Sequence, residues 1–209
     1  MKVLLVNGSP HKDGCTFTAL SEVASELNKE GIETEIFWLG LKPISGCIAC
    51  NKCSSLGKCV FNDVVNEFVE KARTADGFIF GSPVHYASAS GAITSFMDRV
   101  FYSTFSNPEI FRLKPAAAVV SARRAGTTVT VDQINKYFMM NQMPIISSRY
   151  WNMVHGSNAL EAKNDLEGMQ IMRILGRNMA YYLKAMDIAK KNGLEVPKTE
   201  ETIYTNFIR

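Results

Sequence analysis

Four of the chain's five cysteines crowd into one stretch, "SGCIACNKCSSLGKCVF", from Ser45 to Phe61. Their spacing is Cys-x2-Cys-x2-Cys-x5-Cys, at Cys47, Cys50, Cys53 and Cys59. Thiols at that density can ligate a metal centre, cycle as redox thiols, or simply pack a loop as small apolar side chains. Zinc sites usually pair two Cys-x2-Cys units across a longer loop, and this run does not. Three cysteines at x2, x2 let a short chain wrap one iron–sulfur cluster. The fourth comes at x5 rather than x3, and Val60 stands where the bacterial ferredoxin run has proline. The ferredoxin pattern is therefore met only in part, and a thiol loop stays open beside it. Cys15 stands apart at the start of a predicted helix, where the dipole would lower its pKa and a bound anion would oppose that.

Three further segments carry side chains and backbone suited to a ligand. In "GSPHKDGCT" (Gly8–Thr16), Gly8 permits a tight strand exit. Ser9, Thr16 and the N–H groups that open the next helix can surround an anion. The loop lacks the Gly-Lys-Ser/Thr ending of a Walker loop and the Gly-x-Gly-x-x-Gly of a dinucleotide fold. It fits the monophosphate of a flavin, or else an ordinary strand–helix turn. In "GSPVHYASASGA" (Gly81–Ala92), Pro83 stiffens the chain, while Val84 to Ala87 offer backbone hydrogen-bonding groups. His85 and Tyr86 add two aromatic faces there, which a flat ring needs and which a surface loop could also carry. In "SARRAGTT" (Ser121–Thr128), Gly126 allows close approach, and Arg123 or Arg124 could offset negative charge on a cofactor or a nicotinamide phosphate. His11, His85 and His155 all fall near strand exits. No Gly-x-Ser-x-Gly elbow, His-Glu-x-x-His motif or well-placed carboxylate pair occurs, and no catalytic triad is expected.

The elements that must position these segments alternate along the chain. Predicted strands cover Lys2–Ser9, Ile32–Leu39, Asp76–Val84, Pro115–Ala122 and Met143–Trp151. Predicted helices cover Thr16–Glu30, Asn62–Ala75, Ser90–Phe105, Thr128–Met140 and Leu166–Asp187. In the last helix, Leu166, Met169, Met172, Leu175, Met179, Leu183 and Met186 recur about once per turn and read as core. Strict alternation of this kind gives the α/β class: a five-stranded parallel sheet with helices on both faces, a three-layer sandwich. Strand order 2-1-3-4-5 would bring the ligand segments to the carboxyl edge of the sheet. One domain spans 1–209, with a polar arm from about 192 to 209.

Here the motifs resemble a known family. "GSPHKDGCT" and "ADGFIFGSPVHYASASGAITSFMDR" are similar to the GSPR-x-x-G-x-T loop, GSPVY loop and MDR helix end of NADPH-dependent FMN reductases, a group of flavodoxin-like proteins. The resemblance covers about the first 125 residues well. It implies bound FMN, reduction by NAD(P)H, and a homodimer or homotetramer in which a neighbouring subunit completes the flavin pocket. Ser9, His11, Cys15 and Thr16 would belong to the phosphate loop, and Pro83, Val84, His85 and Tyr86 to the ring loop. Ser121, Arg123, Arg124 and Gly126 would border the cofactor. The chain departs from the pattern at His11, Cys15 and His85, where the group usually has Arg, Asn and Tyr, and at Arg123-Arg124, where its third loop is Gly-rich. The cysteine run is similar to that of the iron–sulfur flavoprotein branch. On that resemblance Cys47, Cys50, Cys53 and Cys59 would ligate a [4Fe–4S] cluster.

Two functions follow as expectations. One is an NAD(P)H:acceptor oxidoreductase using FMN with a flavin, quinone, azo or nitro compound. The other is an electron carrier between a [4Fe–4S] cluster, FMN and a ferredoxin-like redox partner. Composition narrows the field around them. A net charge of +3 over 209 residues implies neither nucleic acid nor a membrane surface. It also argues against a simple flavodoxin shuttle, since such shuttles are strongly acidic. The short apolar run Val3–Val6 is no signal segment and nothing approaches a membrane span, so a cytoplasmic location is expected.

Overall fold

The computed structural model describes residues 1–205. Its centre is a parallel sheet of β1 (Lys2–Asn7), β2 (Glu33–Trp38), β3 (Gly77–His85), β5 (Ala116–Ala122) and β6 (Met153–His155), in the order β2-β1-β3-β5-β6. A two-residue strand, β4 (Ser88–Ala89), folds back antiparallel on the end of β3. Counting the parallel strands alone, the order is the expected 2-1-3-4-5.

Side chains alternate along each strand, so each strand feeds two cores. Leu4, Val6, Phe78, Phe80, Ala116, Ala118 and Val120 pack on one face beneath α3 (Val64–Ala72), α4 (Gly91–Ser103) and α5 (Thr127–Met140). Val3, Leu5, Ile79, Ala117 and Val119 pack on the other beneath α1 (Cys15–Lys29) and α7 (Leu166–Lys191). Strands buried on both faces explain the unbroken apolar runs in the sequence. Met169, Met172, Leu175, Met179 and Leu183 of α7 are core, as the spacing predicts, but Leu166 and Met186 are exposed.

Two short helices, α2 (Cys53–Leu56) and α6 (Ala159–Asn164), stand in addition to the expected elements. The expected fifth strand over Met143–Trp151 is the main correction. Only Ile145 bridges to Ala116 there, and β6 begins two residues beyond Trp151. The reason is capture by α7: Asn178 Nδ2 donates to Ser147 O at 2.8 Å and Ser148 Oγ donates to Ile171 O at 2.7 Å. Those bonds pull the chain off the sheet, and it rejoins beside Val120–Ala122. The arm from residue 192 has no regular structure through 205, and its expected last residues lie outside the described ones.

Ion pairs clamp α1 to α7: Arg173 to Glu22 at 2.6 Å, Arg177 to Glu26 at 2.9 Å and Lys184 to Glu30 at 2.5 Å. Glu26 is buried and also holds Lys29 at 2.6 Å. The Lys29 ammonium holds the Glu26 carboxyl below its ordinary 4.5, against the opposing effect of burial, and Arg177 adds to the lowering. A carboxyl depressed by folding contributes stability above its unfolded pKa and loses it as pH falls through the folded value. Glu26→Gln is therefore expected to lower stability by about 1 kcal/mol near neutral pH. Urea unfolding across pH checks this: the gap between variant and wild type should close below about pH 4.

Candidate functional site

The exits of β1, β3 and β5 meet at the carboxyl edge. Asn7, fully buried at the end of β1, builds the first loop. Its Oδ1 accepts from the Ser9 N–H at 3.1 Å and its Nδ2 donates to Lys12 O at 3.0 Å. Ser9 Oγ accepts from the His11 N–H at 3.1 Å, and Trp38 Nε1 donates to Ser9 O at 2.9 Å. The hydroxyls of Thr16 and Ser121, both buried, lie 2.8 Å apart and tie the first loop to the third.

Helix capping sets two helices of this edge apart. Asp63, Ser90, Asn158 and Asp165 cap α3, α4, α6 and α7 with their side chains. α1 and α5 start at Gly14 and Gly126, with no side-chain cap and no acidic residue in the first turn. Their first N–H groups thus lack a carboxylate or hydroxyl partner at the place where a phosphate would enter. Exposed His11, Lys12, Arg123 and Arg124 surround that edge with donors. Cys15 departs from expectation. Its Sγ donates to Gly156 O at 3.3 Å, and burial pushes its pKa up rather than down. It is a half-buried donor that links α1 to the end of β6.

The second segment is a hairpin rather than a loop. β3 runs on through Pro83, Val84 and His85, then turns at Tyr86 and Ala87 into β4. Both turn residues are left-handed, with φ of 52° and 57°. That is the type I′ pattern, which normally demands Gly or Asn, so a Tyr-Ala pair stores strain. Two contacts hold it. Gln133 Oε1 accepts from Ser88 Oγ at 2.8 Å and from the Ala89 N–H at 2.9 Å. Gly126, at φ +87°, leaves room beneath the turn, where a Cβ would lie 2.6 Å from the Ala87 Cα. Tyr86 and His85 are exposed beside this backbone. His155 ends β6, and its N–H donates to Asp165 Oδ2 at 2.7 Å.

The cysteine segment lies beside α4. Ala49 (φ 51°) and Asn51 (φ 56°) are left-handed and reverse the chain on either side of Cys50. Cys47, Cys50, Cys53 and Cys59 thereby line one small recess of about 20 Å³, together with Phe61, Arg99 and Tyr102. Burial pushes the Cys53 thiol up, and the neighbouring Cys50, Cys47 and Cys59 add to it. Among the described residues no His, Cys, Asp or Glu group is drawn close enough for a single metal ion. A four-thiol set spread around a recess has the donor chemistry of an iron–sulfur cluster. Asn66 of α3 pins the exit of the segment, accepting from the Cys59 N–H and donating to Cys59 O and Phe61 O, each within 3.0 Å. A separate apolar groove of about 750 Å³ runs between α4 and α5, with Phe101, Tyr102, Phe105, Tyr137 and Met140 on its walls and Cys53 at its end.

Sequence reasoning missed Asn7, Asn66, Arg99 and Gln133. Arg99 alone had a visible signal, as the last residue of the MDR helix end, from which no role was read.

The family model described as NADPH-dependent FMN reductase matches residues 1–158. The chain belongs to that family. As a member it is a flavoprotein oxidoreductase that uses FMN on a flavodoxin-like fold. An iron–sulfur flavoprotein of Methanocaldococcus jannaschii is 33% identical over 189 residues, covering 88% of this chain and 98% of that one. Among solved structures, RosB with a bound 8-demethyl-8-formylriboflavin-5'-phosphate aligns with a TM-score of 0.67 at 14% identity, covering 100% of this chain and 94% of that one. A flavodoxin from the domain Archaea aligns at 0.58 and 14% identity, covering 88% and 99%. These structural likenesses concern the fold. No helix among the described residues is long and apolar enough to cross a membrane.

The uncapped helix starts, the buried hydroxyl pair and the backbone of the hairpin fit a flavin monophosphate. Gly126→Ala in this FMN reductase family member is expected to displace the Ala87 turn and to cost about 1–3 kcal/mol. Thermal unfolding and FMN titration of the variant check this, with weaker FMN binding the expected companion.

Proposed function

We propose that this protein is an iron–sulfur flavoprotein in which FMN at the carboxyl edge and a [4Fe–4S] cluster at Cys47, Cys50, Cys53 and Cys59 exchange electrons with a redox partner. The observation that carries this reading is the convergence of all four cysteines on one recess. The full-length similarity to an iron–sulfur flavoprotein supports it.

FMN, when bound, supplies chemistry that passes electrons in pairs or singly, and a cluster supplies one-electron chemistry. The chain's own residues bind and orient. Thr16, Ser121, Ser9 and the α1 N–H groups would receive the phosphate. Pro83 to Tyr86 would present backbone to the ring edge, held by Gln133 and by the space at Gly126. Arg123 and Arg124 would offset negative charge at the open side. Cys47 and Cys50 are exposed while Cys53 and Cys59 are partly covered, so a group held there would face solvent on one side. That arrangement suits exchange with a docked carrier.

A second reading has its own support. The family description names NADPH, and the exposed Arg123-Arg124 pair suits a nicotinamide phosphate. In that reading the protein reduces a small acceptor directly with NAD(P)H. Steady-state NAD(P)H oxidation by the FMN-loaded protein separates the two: rapid turnover supports the reductase, and reduction only through a ferredoxin-type carrier supports the iron–sulfur flavoprotein.

An anaerobic absorption spectrum with iron and sulfide analysis tests the cluster. The expected result is a broad shoulder over the flavin bands, with iron and sulfide in near-equal amounts; flavin bands alone would sink the cluster. Cys50→Ser should remove the shoulder and spare the flavin. Thr16→Ala should weaken FMN binding about tenfold, read by flavin fluorescence, through loss of a charge-assisted hydrogen bond to the phosphate.

A further inference from the structure

Arg99 is the largest fully buried side chain, with 1% exposure. A guanidinium in a core needs partners for all its donors. Four of its five donors find them in the cysteine segment and at Asp63 just beyond it. Nη1 and Nη2 form a two-pronged pair with Asp63 at 2.7 and 2.8 Å. Nη1 also donates to Ser45 O at 3.3 Å, at the entrance of the segment. The guanidinium stacks over the Phe61 ring at 4.8 Å, at its exit. A fourth donor, Nε–H, points to Cys59 Sγ at 3.2 Å. One side chain on α4 therefore staples both ends of the cysteine segment and addresses one of its sulfurs.

Three features make this more than packing. Asp63 is also the N-cap of α3, accepting from the Val65 N–H at 3.1 Å, so its carboxylate has an anchor other than Arg99. The two-pronged pair fixes the plane of the guanidinium, and with it the direction of Nε–H. Asp63 balances the arginine charge, so what Cys59 experiences is chiefly one directed N–H dipole. Hydrogen bonds to ligand sulfurs are a main means by which a protein sets a cluster's reduction potential. They stabilise negative charge on sulfur, and the reduced cluster carries more of it.

We propose that Arg99, locked by Asp63, is a positioning residue that orients Cys59 toward the cluster and makes the cluster easier to reduce. The proposal rests on the reading that the four cysteines hold a cluster. It assigns Cys59 a place apart from Cys47, Cys50 and Cys53: it is the ligand whose sulfur carries a fixed hydrogen bond from the core.

The test uses the full chain, purified anaerobically with FMN and cluster, as wild type, Arg99→Lys and Asp63→Asn. Lysine keeps a positive charge but cannot bond Asp63 with two prongs while also donating sideways to sulfur. Asparagine retains an N-cap oxygen for α3 but loosens the guanidinium. Iron and sulfide content, FMN content, melting temperature and the cluster midpoint potential are read for each. Arg99→Lys is expected to shift the potential to more negative values by the equivalent of about a tenfold change in the reduced-to-oxidised ratio, or 59 mV for one electron. Asp63→Asn removes the carboxylate that balances the arginine charge and should shift it to more positive values. If Arg99→Lys does not fold, Arg99→Gln takes its place: a shift to more negative values supports the proposal, and an unchanged potential overturns it. A purely structural Arg99 would lower the melting temperature and the iron content but leave the potential of assembled clusters at the wild-type value, and that result overturns the proposal alone. Wild-type protein that binds FMN but takes up no iron overturns the cluster reading, and this proposal with it.

Discussion

Where β1 and β3 end side by side, the Gly8 N–H donates to Gly81 O at 2.9 Å. A Cβ on Gly8 would stand 2.9 Å from that same oxygen and from Ile93. This contact sets how close the first and second ligand segments lie, because both chains leave the sheet from it. Ser90 then reads the geometry from the other side. Its Oγ donates to Gly8 O at 3.1 Å, and its N–H donates to Ser82 Oγ at 3.1 Å. The N-terminus of α4 is thus anchored to the β1 exit by its own capping residue.

That anchoring joins two regions that look separate in the sequence. α4 begins at the carboxyl edge and carries Arg99 about 14 Å further along, at 1.5 Å per residue, to the cysteine segment. The helix is a rigid spacer between the FMN edge and the thiol recess, packed along its length by Phe96, Met97 and Val100 against the sheet. Its two ends use opposite devices. At one, the small capping residue Ser90 ties the helix to the strand exits; at the other, a charged side chain is committed to the loop beside it.

The fold was legible because its signals repeat. Buried parallel strands read as apolar runs, and each is followed by a helix with one apolar face. The order of the strands followed from alternation together with the motifs. The strand predicted over Met143–Trp151 failed because a local apolar pattern cannot show that Asn178, far along the chain, takes the Ser147 carbonyl. The loop motifs located the FMN edge, but not the residues that shape it. Asn7 reads as the end of a strand, and Gln133 as one polar position on a helix. Their roles depend on backbone groups brought close only by folding. The Tyr86-Ala87 turn was illegible for a different reason: its residues oppose the conformation they adopt, and tertiary contacts override local preference. In the cysteine segment the spacing announced the donor set, while the left-handed Ala49 and Asn51 that turn the sulfurs together leave no trace in composition.

The two margins of the sheet differ in how they could meet another chain. β6 is only three residues long, too short to template much pairing. β2 is longer, but it carries Glu33 and Glu35. Lys2 lies 3.5 Å and 2.8 Å from them, and Lys71 lies 2.8 Å from Glu35. A strand adding beside β2 would have to displace or cover this charged lattice, whose partial exposure keeps it hydrated. Charged edges of this kind act as guards against aggregation, since open backbone there would otherwise recruit the same edge of another copy. The sheet at the heart of the molecule is in this sense closed to its own kind, and new contacts fall to helices and loops.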